Sequence, residues 1–495
     1  MLYRYILLGL LLCNSLDIWG QSQPKAQLGP IYTDAQYKSW NLAARKLLSL
    51  QQGKIYALLP QSVKQKKIWG LDFLVFDKEM NFQAQTFIPL EGAKRFKVLQ
   101  FLDFQDETYI LLSATDPKSR DITLWAQCFD FAQMKPKGAM ISLGIIPHLP
   151  HATQSSLSFK TSPNQTKLLI MSQRQRGEEA KRQVQAFKLI ALDNNLKPLW
   201  EYEPEIDPKV KYFHFDTPAI SNEGVAVWAR QESKDRPFAP YQGQTGRLEI
   251  IAEGKVIATN WIYQENALII DQIFLLSDKE ATITCSGVVG INPNLSKGYF
   301  INKYSLKDGK MLSSNIFPID FHLLTDSRNG TLRDLEVRLL MENANKGFLI
   351  LMQAVGPYTK GEIISKLPVY GDYYLISTQA NGEIQWAKQI PQSQSFSPLA
   401  FHLKRDCLDF FYHQGTDPEA LPQPLPLSSS SFKSDIHIQQ VQIDWRGNIK
   451  ERPLEGDGAV SYGIWPYILG SLEGNVYLYL GFSGKNARFI KLTYE

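Results

Sequence analysis

The stretch LSFKTSPNQTKLLIMSQRQRGEEAKRQVQAFKLIALDNNLKPLWEYEPEI, residues Leu157–Ile206, decides the fold. It holds four short segments, LSFKT, KLLIMS, VQAFKLIAL and LWEYEPEI, parted by two polar turns and one basic loop. The turns Pro163-Asn164-Gln165 and Asp193-Asn194-Asn195 carry residues that tolerate the positive φ of a tight hairpin. The stretch therefore reads as four antiparallel strands, A to D, with hairpins at A–B and C–D.

The same unit recurs along the chain. Turns at Gln52-Gly53-Lys54, Gln105-Asp106-Glu107, Asn222-Glu223-Gly224, Asp278-Lys279-Glu280, Asn345-Lys346-Gly347, Lys404-Arg405-Asp406 and Leu472-Glu473-Gly474 each lead at once into a short apolar strand. With Pro163-Asn164-Gln165 they make eight copies, spaced by roughly 53 to 68 residues. Second turns follow at Asp77, Asp130, Asp193, Glu253-Gly254, Asp308-Gly309, Asn381-Gly382 and Arg446-Gly447, which is seven. The eighth unit ends at Glu495 after ARFIKLTYE, without a D strand. Residues 26–33 (AQLGPIYT) supply one. A terminal strand that completes the last unit would close the array and cover its edges. The expectation is an all-β, single closed β-propeller of eight four-stranded blades, with seven as the alternative. Between residues 34 and 46, Trp40 and Ala43 share one helical face, so a short helix is expected there, running into strand A of the first unit.

At 495 residues one repeat array can use the whole chain. Charged residues are 21%, too few for disorder, and aromatics at 12% allow a large core. The net charge of +4, with no basic run, gives no reason to expect nucleic acid. Residues 1–20 read as an export signal, with Arg4 before the apolar YILLGLLLC and a cut after Gly20. The apolar run is too short to span a bilayer, and no transmembrane segment is expected elsewhere. The mature chain, 21–495, is expected to be periplasmic, cell-surface or extracellular. Cys128, Cys285 and Cys407 lie far apart in apolar strands and read as small buried hydrophobes rather than a disulfide framework.

Irregular sequence concentrates in the B–C connections. These include QRQRGEEAKR (173–182), ESKDRPFAPYQGQTG (232–246) and GPYTKGEIISKLPVYG (356–371). Loops on a rigid scaffold are where binding residues collect. Arg174, Arg176, Arg236, Tyr241 and Tyr358 are the candidate binding residues, forming a basic, aromatic-bearing rim suited to an anionic glycan or an acidic protein surface. His148 and His151 form H-x-x-H with no Cys or acidic residue close by, so no metal site is expected. His214 and Asp216 share a face of an A strand and read first as a structural hydrogen bond. No phosphate-cradling loop, zinc-protease helix, G-x-S-x-G elbow or EF-hand loop is present, and catalytic residues are not identified.

Two resemblances add to this reading. Ala191, Asp193 and Trp200, with partial matches at Asn381-Gly382 and Trp386 and at Gly254 and Trp261, resemble the tryptophan-docking repeat of quinoprotein-type propellers. That resemblance implies tryptophans packed between blades. It lacks a vicinal cysteine pair and a calcium-ligand set, so no cofactor is expected. The runs SPNQTKLLIM, DNNLKPLWEYEPE and FDTPAISNEGVAVWA make the chain look like the uncharacterised secreted propellers of Bacteroidetes-type bacteria. Together they point to an exported, monomeric binding or scaffold protein. The alternative is a carbohydrate-active hydrolase or lyase with carboxylates at the channel mouth.

Overall fold

The computed structural model describes residues 25–28, 32–33, 48–51, 54–58, 63–65, 68–90, 95–148, 152–176, 185–204, 212–215, 218–233, 246–262, 268–292, 295–319, 335–343, 345–360, 363–390, 401–403, 407–415, 436–453, 463–473, 476–483 and 486–493. The proposed leader and the helix expected over 34–46 lie outside them. Among the described residues the regular structure is all strand.

Two short strands lead the chain, β1 (Lys25–Leu28) and β2 (Tyr32–Thr33). The first sheet holds β3 (Leu48–Gln51), β4 (Lys54–Leu58), β5 (Val63–Gln65), β6 (Ile68–Phe76) and β7 (Phe82–Pro89). The second holds β8 (Lys97–Phe104), β9 (Glu107–Thr115), β10 (Ile122–Asp130), β11 (Lys135–Pro136) and β12 (Ile141–Ile146). The third holds β13 (Ala152–Thr161), β14 (Leu168–Arg176), β15 (Gln185–Leu192) and β16 (Pro198–Tyr202). The fourth holds β17 (Tyr212–Phe215), β18 (Ala219–Ile220), β19 (Ala226–Ser233), β20 (Gly246–Ala252) and β21 (Lys255–Ile262). The fifth holds β22 (Leu268–Ser277), β23 (Thr282–Asn292), β24 (Leu295–Ser305) and β25 (Met311–Pro318). The sixth holds β26 (Leu335–Glu342), β27 (Phe348–Lys360), β28 (Ile363–Thr378) and β29 (Ile384–Ile390). The seventh holds β30 (Phe401–Leu403), β31 (Cys407–Gly415), β32 (Ile436–Asp444) and β33 (Ile449–Pro453). The eighth holds β34 (Gly463–Glu473), β35 (Val476–Ser483) and β36 (Asn486–Thr493).

Every pairing is antiparallel and, in the first seven sheets, follows chain order; in the first, second, fourth and eighth sheets one strand position is split in two. In the eighth sheet the fourth position is filled by the start of the chain. β1 pairs β36 from Lys25↔Thr493 to Leu28↔Ile490, and β2 continues it with Tyr32↔Ala487 and Thr33↔Asn486.

The B strands are apolar on both faces because both faces are covered. In β14, Leu168 and Ile170 join a core cluster with Leu111 and Leu124 of the second sheet. Their neighbours Leu169 and Met171 join one with Ala226 and Trp228 of the fourth. The pleat sends alternate residues to opposite neighbours. In the same way Ile350 and Met352 face the fifth sheet while Leu349 and Leu351 face the seventh. Further clusters join the first sheet to the second and the fourth to the fifth. Burying a Leu or Ile side chain in such a seam contributes about 2 kcal/mol. β32 of the seventh sheet meets β34 of the eighth, and β34 in turn meets β3 of the first. Lys491 Nζ on β36 donates to the Lys78 carbonyl in the first sheet at 2.9 Å.

Candidate functional site

Strand order A-B-C-D puts the A–B and C–D turns at one end of each sheet and the B–C and D–A connections at the other. The turns are closed by their own backbone bonds. Gly224 N–H donates to the Ser221 carbonyl at 3.0 Å, and Leu196 N–H to the Asp193 carbonyl at 3.0 Å. Turns of successive sheets are linked as well. Asn164 N–H donates to Asn222 Oδ1 at 3.0 Å, and Asn222 N–H to Asp278 Oδ1 at 2.9 Å. The opposite end carries the variable connections. There the β27–β28 hairpin stays paired out to Lys360↔Ile363, well past the Leu335↔Ala354 pair where β26 begins. It forms a two-stranded arm that places Tyr358 opposite Ser365 and Tyr370 opposite Val355.

The candidate binding residues fall in different settings. Arg174 does not stand on an open rim. It is buried in β14, and its Nη1 donates to the Pro147 carbonyl of the second sheet. Burial pulls its guanidinium below the ordinary value, against the opposing fields of Glu203 and Asp121. Arg176 ends β14 opposite Ala152, at the variable end. Tyr358 lies on the arm. Arg236 and Tyr241 lie outside the described residues, as do His151 and Asp216. His148 is half-buried, and its N–H donates to Asp121 Oδ1 at 2.6 Å. That bond and the Ser119 hydroxyl hold the Asp121 carboxyl below its usual range. His214 of β17 pairs across to Gln231 of β19.

Cys128 and Cys285 are buried thiols outside any disulfide. Cys128 Sγ donates to Glu107 Oε2 at 3.3 Å, and Lys137 Nζ is paired with the other oxygen. Burial and then the Glu107 bond push the Cys128 thiol up to about 11, so it is a poor nucleophile at neutral pH. Among the described residues no group of three or more His, Cys, Asp or Glu side chains gathers as a metal centre would require.

A charged constellation lies between the third and fourth sheets, and the repeat pattern gave no hint of it. Glu249, fully buried on β20, accepts from Trp228 Nε1 at 2.7 Å and from Arg230 Nη2 at 3.0 Å. Arg247 Nε lies 2.8 Å from the same Glu249 oxygen as Arg230. Facing them on the third sheet, Lys188 Nζ sits 2.7 Å from Glu201 and 3.6 Å from Glu203. A cleft of about 590 Å³ opens between these groups, lined by Glu201, Tyr202, Glu203, Arg230, Arg247 and Gly254. A buried carboxylate is tolerated only with this degree of pairing. Only the alternation of Trp228, Arg230 and Glu232 in the sequence marks one face of β19 as partly polar.

No protein-family model matches the chain, and no curated protein matches it. Among solved structures it is similar to the β-propeller domain of the Trilobed protease from Pyrococcus furiosus, at 12% identity and a TM-score of 0.35, covering 84% of this chain and 98% of that one. It is similar to the WD40 domain of SCAP from fission yeast, at 7% identity and a TM-score of 0.36, covering 94% and 98%. A member of the DUF4221 family from Bacteroides vulgatus matches at 10% identity and a TM-score of 0.27, covering 81% and 100%.

Proposed function

We propose that the chain is an exported binding scaffold, a closed eight-bladed β-propeller over 21–495 that engages a partner at the end bearing the B–C connections. The observation that carries this is the contrast between the two ends. One carries short turns, those of the third, fourth and fifth sheets bonded to each other, and the other holds the long connections and the β27–β28 arm. Loops held on a rigid base are where binding residues collect. Closure of the ring is supported by the packing of each sheet on the next and by the contacts of the eighth sheet with the first. The resemblance to quinoprotein-type repeats is supported by two tryptophans, Trp200 and Trp386, each of which donates to a carbonyl of the following sheet at 3.1 Å.

The proposed ligand is an anionic glycan or an acidic protein surface. Arg176, Arg236, Tyr241 and Tyr358 would meet it, while Arg174 would steady the rim from beneath by holding the Pro147 carbonyl. The test is binding of a sulfated and a neutral polysaccharide to the mature chain at low and high salt. Affinity for the sulfated one should fall as salt rises, because exposed charges are screened. Arg176→Glu with Arg236→Glu should weaken it further at an unchanged melting temperature. Binding indifferent to both salt and charge reversal would reject this face as the site. Export is tested separately by the N-terminus of the secreted protein, expected at Gln21.

A further inference from the structure

The cleft between the third and fourth sheets has two walls of opposite charge. On one, Arg247 is a third exposed and Arg230 almost fully buried, and both are fixed by the same Glu249 oxygen. Glu249 is itself sealed from solvent, so it orients the guanidinium groups without competing for the open side of Arg247. It meets Arg247 at Nε, and the third of Arg247 that is exposed lines the cleft, where a guanidinium fork can take a carboxylate. On the other wall, Glu201 and Glu203 are about half exposed, on the outer strand β16 and just beyond it. Lys188 sits closer to Glu201 than to Glu203, so Glu203 keeps the more available carboxylate. The volume of about 590 Å³ lies within the range of small-molecule sites.

We propose that this cleft binds a small zwitterion, a free amino acid or short peptide, with its carboxylate on Arg247 and its ammonium on Glu203 and Glu201. A simple anion is attracted by one wall and repelled by the other, and a simple cation meets the reverse. Only a ligand carrying both charges gains at both walls. The residues of this site are not those of the rim proposal, and Arg174 beneath the rim feels the field of Glu203.

The test is titration calorimetry of the mature protein with alanyl-alanine, N-acetyl-alanyl-alanine and alanyl-alanine amide. The dipeptide should bind, and each blocked form should bind about tenfold more weakly or less, a loss of about 1.4 kcal/mol. Glu203→Gln changes a half-exposed group and should weaken the dipeptide by a similar factor at an unchanged melting temperature. Arg247→Ala should weaken it likewise but also lower the melting temperature, because it takes a partner from the buried Glu249. Arg247→Lys should recover only part of the loss, since a lysine cannot make the bidentate contact. No heat from the dipeptide up to about 10 mM, which corresponds to less than about 3 kcal/mol of binding, would overturn the proposal. So would equal binding of the blocked forms, or wild-type affinity in both variants. None of these results bears on the polysaccharide test, which depends on Arg176 and Arg236.

Discussion

Gly382 shows how one residue serves two demands. It ends the C–D turn of the sixth sheet at φ +92°, and its carbonyl accepts from the Tyr299 hydroxyl of the fifth at 2.7 Å. A Cβ there would fall 2.4 Å from the Phe317 ring, which is stacked on Tyr299. Gly138 also has positive φ, at +70°, but nothing lies within 4 Å of a Cβ placed on it. Gly138→Ala should therefore cost only the backbone strain, about 1 kcal/mol. Gly382→Ala adds a clash with a packed ring and should cost about 2 to 4 kcal/mol. Urea denaturation of the two variants checks this, and equal losses would mean that the interface gives way freely. Cys128 makes a second prediction at this scale. Its thiol is pushed up to about 11 from an ordinary 9.0, so the folded state holds the proton longer than the unfolded state does. The stability it contributes is complete below pH 9 and is lost as pH rises from 9 to about 11. Alkylation of Cys128, followed by peptide mapping, should be slow at pH 8 and climb through that window.

Docking of D strands onto the next sheet's turns is the device that repeats among elements. Trp386 Nε1 of β29 donates to the Trp445 carbonyl at 3.1 Å, and a Cβ on Gly447 would lie 2.7 Å from the indole. Trp200 of β16 donates to the Gly224 carbonyl in the same manner. Both indoles are half-buried, less than full packing between blades would give. Trp386→Ala should thus cost about 2 to 3 kcal/mol, at or below the bottom of the range for a buried tryptophan. Trp386→Phe should keep most of the packing and cost about 1 kcal/mol for the lost hydrogen bond. Unfolding midpoints of the pair separate the two contributions. The strands and turns were legible in the sequence because turn residues and apolar runs are local signals. The pairing of the chain's start with β36 was legible by counting. The buried polar pairs were not. Gln85 donates to Asp72 at 2.6 Å, Ser314 to Asn302 at 2.8 Å, Gln389 to Asp372 at 2.7 Å and Arg452 to Gln440 at 2.9 Å. Each joins a C strand to its D strand, and a polar residue on an alternating strand looks solvent-facing until its partner is placed. Arg174 misled for the same reason. A cation beside a basic loop reads as exposed, while the carbonyl that receives it belongs to another sheet.

For the molecule as a whole, stability depends on a series of sheets that each need a neighbour on both faces. An open series would leave two apolar faces and one unpaired edge in water, and both favour aggregation. In the eighth sheet β34 meets β3, and the edge of β36 is taken by β1 and β2. Lys491 marks the junction. It sits on β36, donates to the Lys78 carbonyl, and is pulled below its ordinary value mainly by burial. Removing residues 1–33 should strip four register pairs of β1 and two of β2 from Thr493 to Asn486. At about 0.5 to 1 kcal/mol for each net hydrogen bond, and with some apolar area exposed, the loss should be about 3 to 6 kcal/mol. The truncated chain should unfold at a lower urea concentration and self-associate through the bared β36 edge. A synthetic peptide of residues 21–36, added in excess, should restore much of the midpoint and suppress the association, since it can occupy that edge without being covalently attached. A truncated chain as stable and as free of self-association as the full chain would show that the eighth sheet does not depend on this strand, and that its contact with the first sheet rests on β34–β3 and Lys491.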